Sequence, residues 1–397
     1  MIVVRKIVVV LLVFALLFSS VLFEVDILSA EESKNPDIDI SSKSAILIEA
    51  SSGMVIYEKN ADEQLRPASV TKIMTLLIIF EEIDKGNLAL DDIVTITEHA
   101  ASMGGSQCFF EAGEQQTVED LIKCIEIASG NDAAVAMAEH IAGSEALFVD
   151  MMNKRALELG MNNTSFKNAC GLEAEGHFTS ARDIAIMSRE LIVNHPEIKE
   201  YSTIWMDYII HKTSRGESRF DLANTNKFLK QYSGATGLKT GYTSQAKYCM
   251  SATAERNGIE LIAVIMGADT KEIRNSEAGR LLDYGFSTCE IYTDTEVLPN
   301  DLCFNVKYGV KDITIYNAVE EKQISIISAS PDDVKKEILP YNNLEAPIYK
   351  GDIIGVIQYS VNGEVIEEEF IYSGEDIAKK SYSYSFKDLV TRIFMVK

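Results

Sequence analysis

Three short polar stretches carry residue types that could attack a carbonyl and steady the charge that forms. The first is Ser69-Val70-Thr71-Lys72, within "RPASVTKIMT". Positions i and i+3 of a helix share one face, so the Ser69 hydroxyl and the Lys72 amine can meet. Lysine is a poor base at its ordinary pKa of about 10.4, but burial and the positive end of a helix both disfavour the ammonium form. A neutral Lys72 could then take the Ser69 proton. The plainer reading is that Ser69 caps a helix and Lys72 snorkels to the surface, although the apolar neighbours leave it little surface to reach. The second stretch, Ser129-Gly130-Asn131, offers a hydroxyl to relay a proton and an amide that both donates and accepts; alone it is a break between helices. The third, "GLKTGYT" from Gly237 to Thr243, sets Lys239 beside Thr240 and Gly241. A cation next to a hydroxyl suits a carboxylate, and glycine lets a substrate backbone approach. Alone, it is a strand edge guarded by a lysine.

The elements that must hold these stretches are readable around them. "SAILIEASSGMVIYEKN" predicts two short strands joined at Ser51-Ser52-Gly53. "SVTKIMTLLIIFEEI" is apolar on nearly every side and predicts a buried helix, with Pro67 near its start, where a missing N–H costs little. From about 90 to 230 the chain reads as mainly helical. Thr117 and Asp120 open a helix that breaks at Ser129-Gly130-Asn131, where a polar break suggests a cleft. Two β-rich runs joined at Asn257-Gly258 and a further helix, "RNSEAGRLLDYGF", close this part. Strands at both ends with helices between them imply a mixed α/β layer in which early and late strands share one sheet.

After about Glu290 the texture turns to short strands and turns, including a hairpin signal at Asn362-Gly363, and predicts a separate all-β domain. In the tail, Phe386, Leu389, Val390, Ile393 and Phe394 form one apolar helical stripe, with Lys387, Asp388, Thr391 and Arg392 opposite. A short basic amphipathic helix suits a membrane surface; a helix docked on the β-domain is the alternative.

The bulk numbers set limits. At 397 residues the chain suggests two domains with additions. A formal charge of -23 argues against nucleic acid, whose phosphates need Lys and Arg partners. The first thirty residues read as an export signal, Arg5 and Lys6 followed by an apolar run from Ile7 to Phe23, with cleavage after Ala30 or retention as an anchor. Six cysteines lack C-x-x-C pairs and read mostly as buried small hydrophobes. Five histidines form no metal-ligand motif, so neither a metal nor a cofactor is expected.

Ser-x-x-Lys, Ser-Gly-Asn and Lys-Thr-Gly in this order are far more specific than any one of them. The sequence resembles the low-molecular-mass penicillin-binding proteins, the serine-type D-alanyl-D-alanine carboxypeptidases, over nearly its whole length. That resemblance implies an α/β fold: a β-lactamase/transpeptidase-like domain at 38–290, an antiparallel sheet with helices on both faces. It further implies a signal peptide at 1–30, a small β-sandwich-like domain at 291–374 and an amphipathic membrane-associating helix at 376–397. The implied roles are Ser69 as acylated nucleophile, Lys72 as its base and Ser129 as proton relay to the departing D-alanine. Asn131 would bind the substrate amide, Lys239, Thr240 and Gly241 the terminal carboxylate end, and the backbone N–H groups of Ser69 and Tyr242 the oxyanion. The implied partners are peptidoglycan stem peptides, β-lactams as acylating inhibitors and the membrane surface, outside the cytoplasm. Tyr242, Lys247 and Ala169-Cys170 depart from residues frequent in the family, and His177 and Asp183 match a segment near the site with either a structural or a catalytic role.

Three rival functions use the same residues differently. A β-lactamase needs a second base, and "ELGMN" from Glu158 to Asn162 superficially imitates one, although it lies in a predicted helix ending at Gly160. A catalytically silent wall-binding or sporulation scaffold would keep the fold. Endopeptidase cleavage of cross-links would use the same three stations.

Overall fold

The computed structural model describes residues 38–394 apart from 214, 295–302, 312, 315–321, 328–333, 342 and 362–363. The expected signal peptide and the Asn362-Gly363 turn lie outside the described residues.

Five antiparallel strands make the main sheet: β1 (Ser44–Glu49), β2 (Val55–Lys59), β3 (Ala235–Thr243), β4 (Lys247–Arg256) and β5 (Ile259–Ala268), in the order β2-β1-β5-β4-β3. Early and late strands therefore share it, with Ser44 opposite Met266 and Glu49 opposite Leu261. Alternation divides the strands between two faces. Ile46, Ile48, Ile262, Val264 and Met266 enter the large helical core. Leu47 and Leu261 point the other way, so close to a helix that a Cβ on its Gly285 would sit 2.6 Å from Leu261. Burial on both faces explains why these strands read as continuous apolar runs.

The helices that matter for the site are α1 (Lys72–Asp84), α2 (Val118–Glu126), α3 (Asn131–Ala142), α4 (Glu145–Glu158), α5 (Ala181–Asn194) and α6 (Lys271–Thr288). Every residue of α1 from Lys72 to Phe80 is buried, as its all-round apolar pattern requires. Thr117 caps α2 by accepting from the Asp120 N–H at 3.1 Å. Helix α6 also anchors the start of the described chain: buried Glu277 accepts from the hydroxyls and N–H groups of Ser41 and Ser42.

The stretch from 90 to 230 is less purely helical than its sequence suggests. It contains a two-stranded pair, Ile93–Thr95 with Gln115–Thr117, and a hairpin, Met206–Thr213 with Gly216–Ala223. The hairpin's apolar residues do not alternate cleanly along its strands, and only a few of its side chains turn inward. One, His211, donates from Nδ1 to buried Glu114 at 2.8 Å and lies edge-on to Phe110 and Phe220.

Beyond α6 the described chain forms small antiparallel sheets. Cys289–Asp294 pairs with Lys322–Ile327, and Val334–Pro340, Ile353–Val361 and Glu364–Tyr372 make a three-stranded sheet. Phe304, Ile348, Ile354, Tyr359 and Ile377 lie in its core, against which Met54 packs from the β1–β2 turn. A helix follows at Tyr382–Phe394.

Candidate active site

Ser69 lies in a 3-10 turn, Ala68–Thr71, that leads directly into α1. Neither end of this turn has a side-chain cap, so Ser69 is not the helix cap that its position allows. Ala68 before it is held at φ +49, a left-handed conformation that non-glycine residues rarely adopt without external support. The support comes from behind. The Lys167 N–H donates to His177 Nδ1 at 3.3 Å, which leaves the proton on Nε2, 3.0 Å from Thr71 Oγ1; Thr71 in turn donates to the Ala68 carbonyl at 2.9 Å. Burial lowers His177 to about 4, so the ring is neutral and acts as a prop. Gly171 fits beneath the same carbonyl, where a Cβ would collide at 1.9 Å. Asp183 is likewise structural in its contacts, accepting from the Asn163 N–H and the Thr164 hydroxyl.

Lys72 does not snorkel; its side chain is fully buried. Its Nζ reaches Ser69 Oγ at 3.2 Å, Asn131 Oδ1 at 2.6 Å and the Cys170 carbonyl at 2.8 Å. Burial lowers its pKa to about 7, with Lys239 adding to the effect and Cys170 and Asp132 opposing it. Asn168 shapes the Cys170 turn by accepting from the Gly171 and Leu172 N–H groups. The contact to Lys72 uses the Cys170 backbone, which accounts for the tolerance of an unusual side chain there.

Ser129 is also left-handed, at φ +60, and its buried hydroxyl has no hydrogen-bond partner among the described residues. Asn131 starts α3, its Nδ2 donating to the Gly104 carbonyl at 2.7 Å. Next to it, buried Asp132 ties down the neighbouring loop by accepting from the Cys108 and Phe109 N–H groups at 2.9 and 2.8 Å.

The Lys-Thr-Gly station occupies β3, the edge of the sheet. Gly241 is required by the chain's own packing: a Cβ there would lie 2.9 Å from the Pro67 carbonyl oxygen and 3.0 Å from the Ser69 nitrogen. The expected reason for this glycine, approach of a substrate backbone, is thus joined by a nearer one, the approach of β3 to the Ser69 turn. Lys247, on the facing strand, has φ +60, which explains why glycine would suit its position.

A cleft of about 800 Å³ is lined by Ser69, Ser129, Thr240, Gly241 and Tyr242, with Lys72, Asn131 and Lys239 buried behind its wall. The three sequence stations therefore converge. Two further lining residues, Ser106 and Arg274, escaped the sequence reading. The Ser106 carbonyl accepts from the Asn131 N–H at 2.8 Å. Arg274 is 6 % exposed, lies 5.9 Å from the Tyr248 ring centroid and is lowered to about 10 by burial. Its signal was a cation on the buried stripe of α6, in register with Glu277, Ala278 and Leu281. Glu158, the imitation of a lactamase base, instead sits half-exposed on α4 beside Lys154 and Arg155.

The profile of the D-alanyl-D-alanine carboxypeptidases matches residues 29–270, more than half of the chain. The chain belongs to this family. The C-terminal domain of penicillin-binding protein 5 matches residues 303–379. A D-alanyl-D-alanine carboxypeptidase of Bacillus subtilis, DacF, is 45% identical over 344 residues, 86% of this chain and 87% of its own length. Among solved structures, penicillin-binding protein 5 of Haemophilus influenzae superposes with a TM-score of 0.72 at 31% identity, covering 86% of this chain and 99% of that one. Penicillin-binding protein D2 of Listeria monocytogenes, solved with ampicillin bound, superposes with a TM-score of 0.54 at 30% identity over 64% of this chain and all of its own. As a D-alanyl-D-alanine carboxypeptidase the protein is a serine hydrolase of the penicillin-binding group, acting on peptidoglycan.

Proposed function

We propose that the protein removes the terminal D-alanine of stem peptides through an acyl-enzyme on Ser69. The observation that carries this reading is the contact of the buried Lys72 Nζ with Ser69 Oγ at 3.2 Å. With a pKa of about 7, Lys72 is half neutral at pH 7 and has a lone pair for the Ser69 proton. Ser69 Oγ attacks the carbonyl of the penultimate D-alanine, and the backbone N–H groups of Ser69 and Tyr242 receive the oxyanion. Ser129, whose hydroxyl has no other partner among the described residues, passes a proton to the departing amine. One Asn131 Nδ2 hydrogen remains for the substrate amide. Lys239 and Thr240 hold the terminal carboxylate, and buried Arg274 adds positive charge to the same cleft. Water then cleaves the ester with the same groups acting in reverse.

The same reading divides the chain into a catalytic domain at 38–290, a β-domain at 291–374 and a tail at 376–397 that holds the enzyme on the outer face of the cytoplasmic membrane. Exposed Phe386, Leu389, Ile393 and Phe394 on the Tyr382–Phe394 helix support a tail that lies on lipid. No described helix is long and apolar enough to cross a membrane.

Intact mass spectrometry after mixing with benzylpenicillin tests the chemistry. The expected result is a persistent adduct mapped to Ser69 and absent from Ser69→Ala. Rapid penicillin hydrolysis without an adduct would favour a lactamase, and unchanged protein with intact drug a silent scaffold.

A further inference from the structure

One buried carboxyl group next to the site has no place in the reaction described above. Glu126 is the last residue of α2, is 2 % exposed, and neither of its carboxyl oxygens has a hydrogen-bond partner among the described residues. A carboxylate there is opposed twice, by burial and by the negative end of its own helix. The same residue meets the Lys-Thr-Gly station: Lys239 Nζ donates to the Glu126 backbone carbonyl at 3.5 Å, the one hydrogen bond this buried amine makes among the described residues. Glu126 and Lys239 are thus two buried, weakly bonded ionisable groups placed together behind the cleft wall.

We propose that Glu126 is a positioning residue for Lys239, and that the gain or loss of its proton sets how strongly the Lys-Thr-Gly station attracts a substrate's terminal carboxylate. The proposal rests on the reading that Lys239 holds that carboxylate. With Glu126 protonated, Lys239 is the only charge of the pair and faces the substrate with its positive charge uncompensated. With Glu126 ionised, the substrate carboxylate must compete with a negative charge carried by the residue whose backbone carbonyl already accepts from the amine.

The surroundings make Lys239 the relevant neighbour. Burial pushes Glu126 up to about 7, and Lys239 is the charge that pulls it back. Burial lowers Lys239 in turn, and Glu126 opposes this. Other titratable groups on adjoining elements are committed elsewhere. Lys72 on α1 bonds to Asn131 and Cys170, Asp132 on α3 accepts from backbone N–H groups, and Glu114 pairs with His211. Burial raises the Tyr201 phenol, with Glu119 and Glu200 adding to the effect and Lys123 opposing it, and burial holds the Cys124 thiol protonated.

The test compares two inhibitors, a peptide ending in D-alanyl-D-alanine and the same peptide as its C-terminal carboxamide, between pH 6 and pH 8. Taking the ratio of their inhibition constants removes the titration of Lys72, which both peptides share. A group titrating near 7 changes from about one-tenth to about nine-tenths ionised over this range, so the preference for the carboxylate should fall roughly tenfold in the wild type. In Glu126→Gln the fall centred near pH 7 should be gone; a fall with a displaced midpoint reports Lys239, whose protonated form Glu126 no longer favours. A preference that is present but independent of pH in the wild type overturns the role of Glu126, and this arm needs no variant to fold. An alkaline fall whose midpoint is unmoved in a folded Glu126→Gln protein does the same. Absence of any preference at either pH, unaltered by Lys239→Ala, would instead overturn the reading of Lys239.

Discussion

Replacing Lys72 with methionine should raise stability at acid pH and lose that advantage at alkaline pH, while abolishing acylation. In the folded protein the Lys72 ammonium is held at about 7 by burial, against an ordinary value of 10.5. Below pH 7 the folded and unfolded chains both carry the proton, and the folded state bears the whole cost of the buried charge, about 5 kcal/mol. As pH rises from 7 towards 10.5 the folded state has released its proton and the unfolded state has not, so stability rises and the cost fades. Linkage gives a remaining cost of about 2 kcal/mol at pH 9. The stability difference between Lys72→Met and wild type should therefore shift by about 3 kcal/mol between pH 6 and pH 9, the variant being relatively favoured at pH 6. Orphaning Asn131 Oδ1 and the Cys170 carbonyl adds an offset common to both pH values, which the difference removes. Urea unfolding of both proteins at the two pH values supplies the measurement. A difference that does not change with pH would mean that Lys72 stays protonated in the fold and is not the base.

Asn131→Ala removes the 2.6 Å contact to Lys72 and should reduce turnover of a D-alanyl-D-alanine peptide roughly 100-fold with the fold intact, as checked by circular dichroism. Asp132→Ala orphans the Cys108 and Phe109 N–H groups and should cost about 3 kcal/mol or more in urea unfolding. Glu158→Gln, on the outer side of α4, should leave both penicillin acylation and deacylation within about twofold, since it pairs with exposed Lys154 and only loosely with Arg155, which keeps Glu81 and Glu190. Deleting 376–397 should abolish flotation of the protein with liposomes containing anionic lipid; equal flotation with and without this segment would remove the membrane role of the tail.

The chemistry of the three stations was legible because each is a short contiguous string of distinctive residue types. The sheet and α1 were legible because burial on all sides leaves an unbroken apolar record, as in "TLLIIF". Groups that act through the backbone left no such record: the Cys170 and Ser106 carbonyls look the same whatever side chain they carry. Arg274 and Glu126 share another difficulty. Each is a charged residue on a buried helical face, which from sequence alone is hard to separate from a surface charge one position away. The Met206–Ala223 hairpin failed differently, because few of its side chains face inward and its alternation was weak.

The pairing of β1 with β5 also governs when the enzyme can come into being. Ser44 has its partner in Met266, almost the entire domain later, while the Ser69 turn rests on β3 through Gly241. A chain made or exported from its N-terminus therefore presents Ser69 long before the strand that backs it exists. Closing a loop of this length precedes any gain from the contacts it permits, so assembly is expected to come late and nearly all at once. Partial chains should neither trim peptides nor take up penicillin, and the antibiotic can serve as a stopwatch for completed folding.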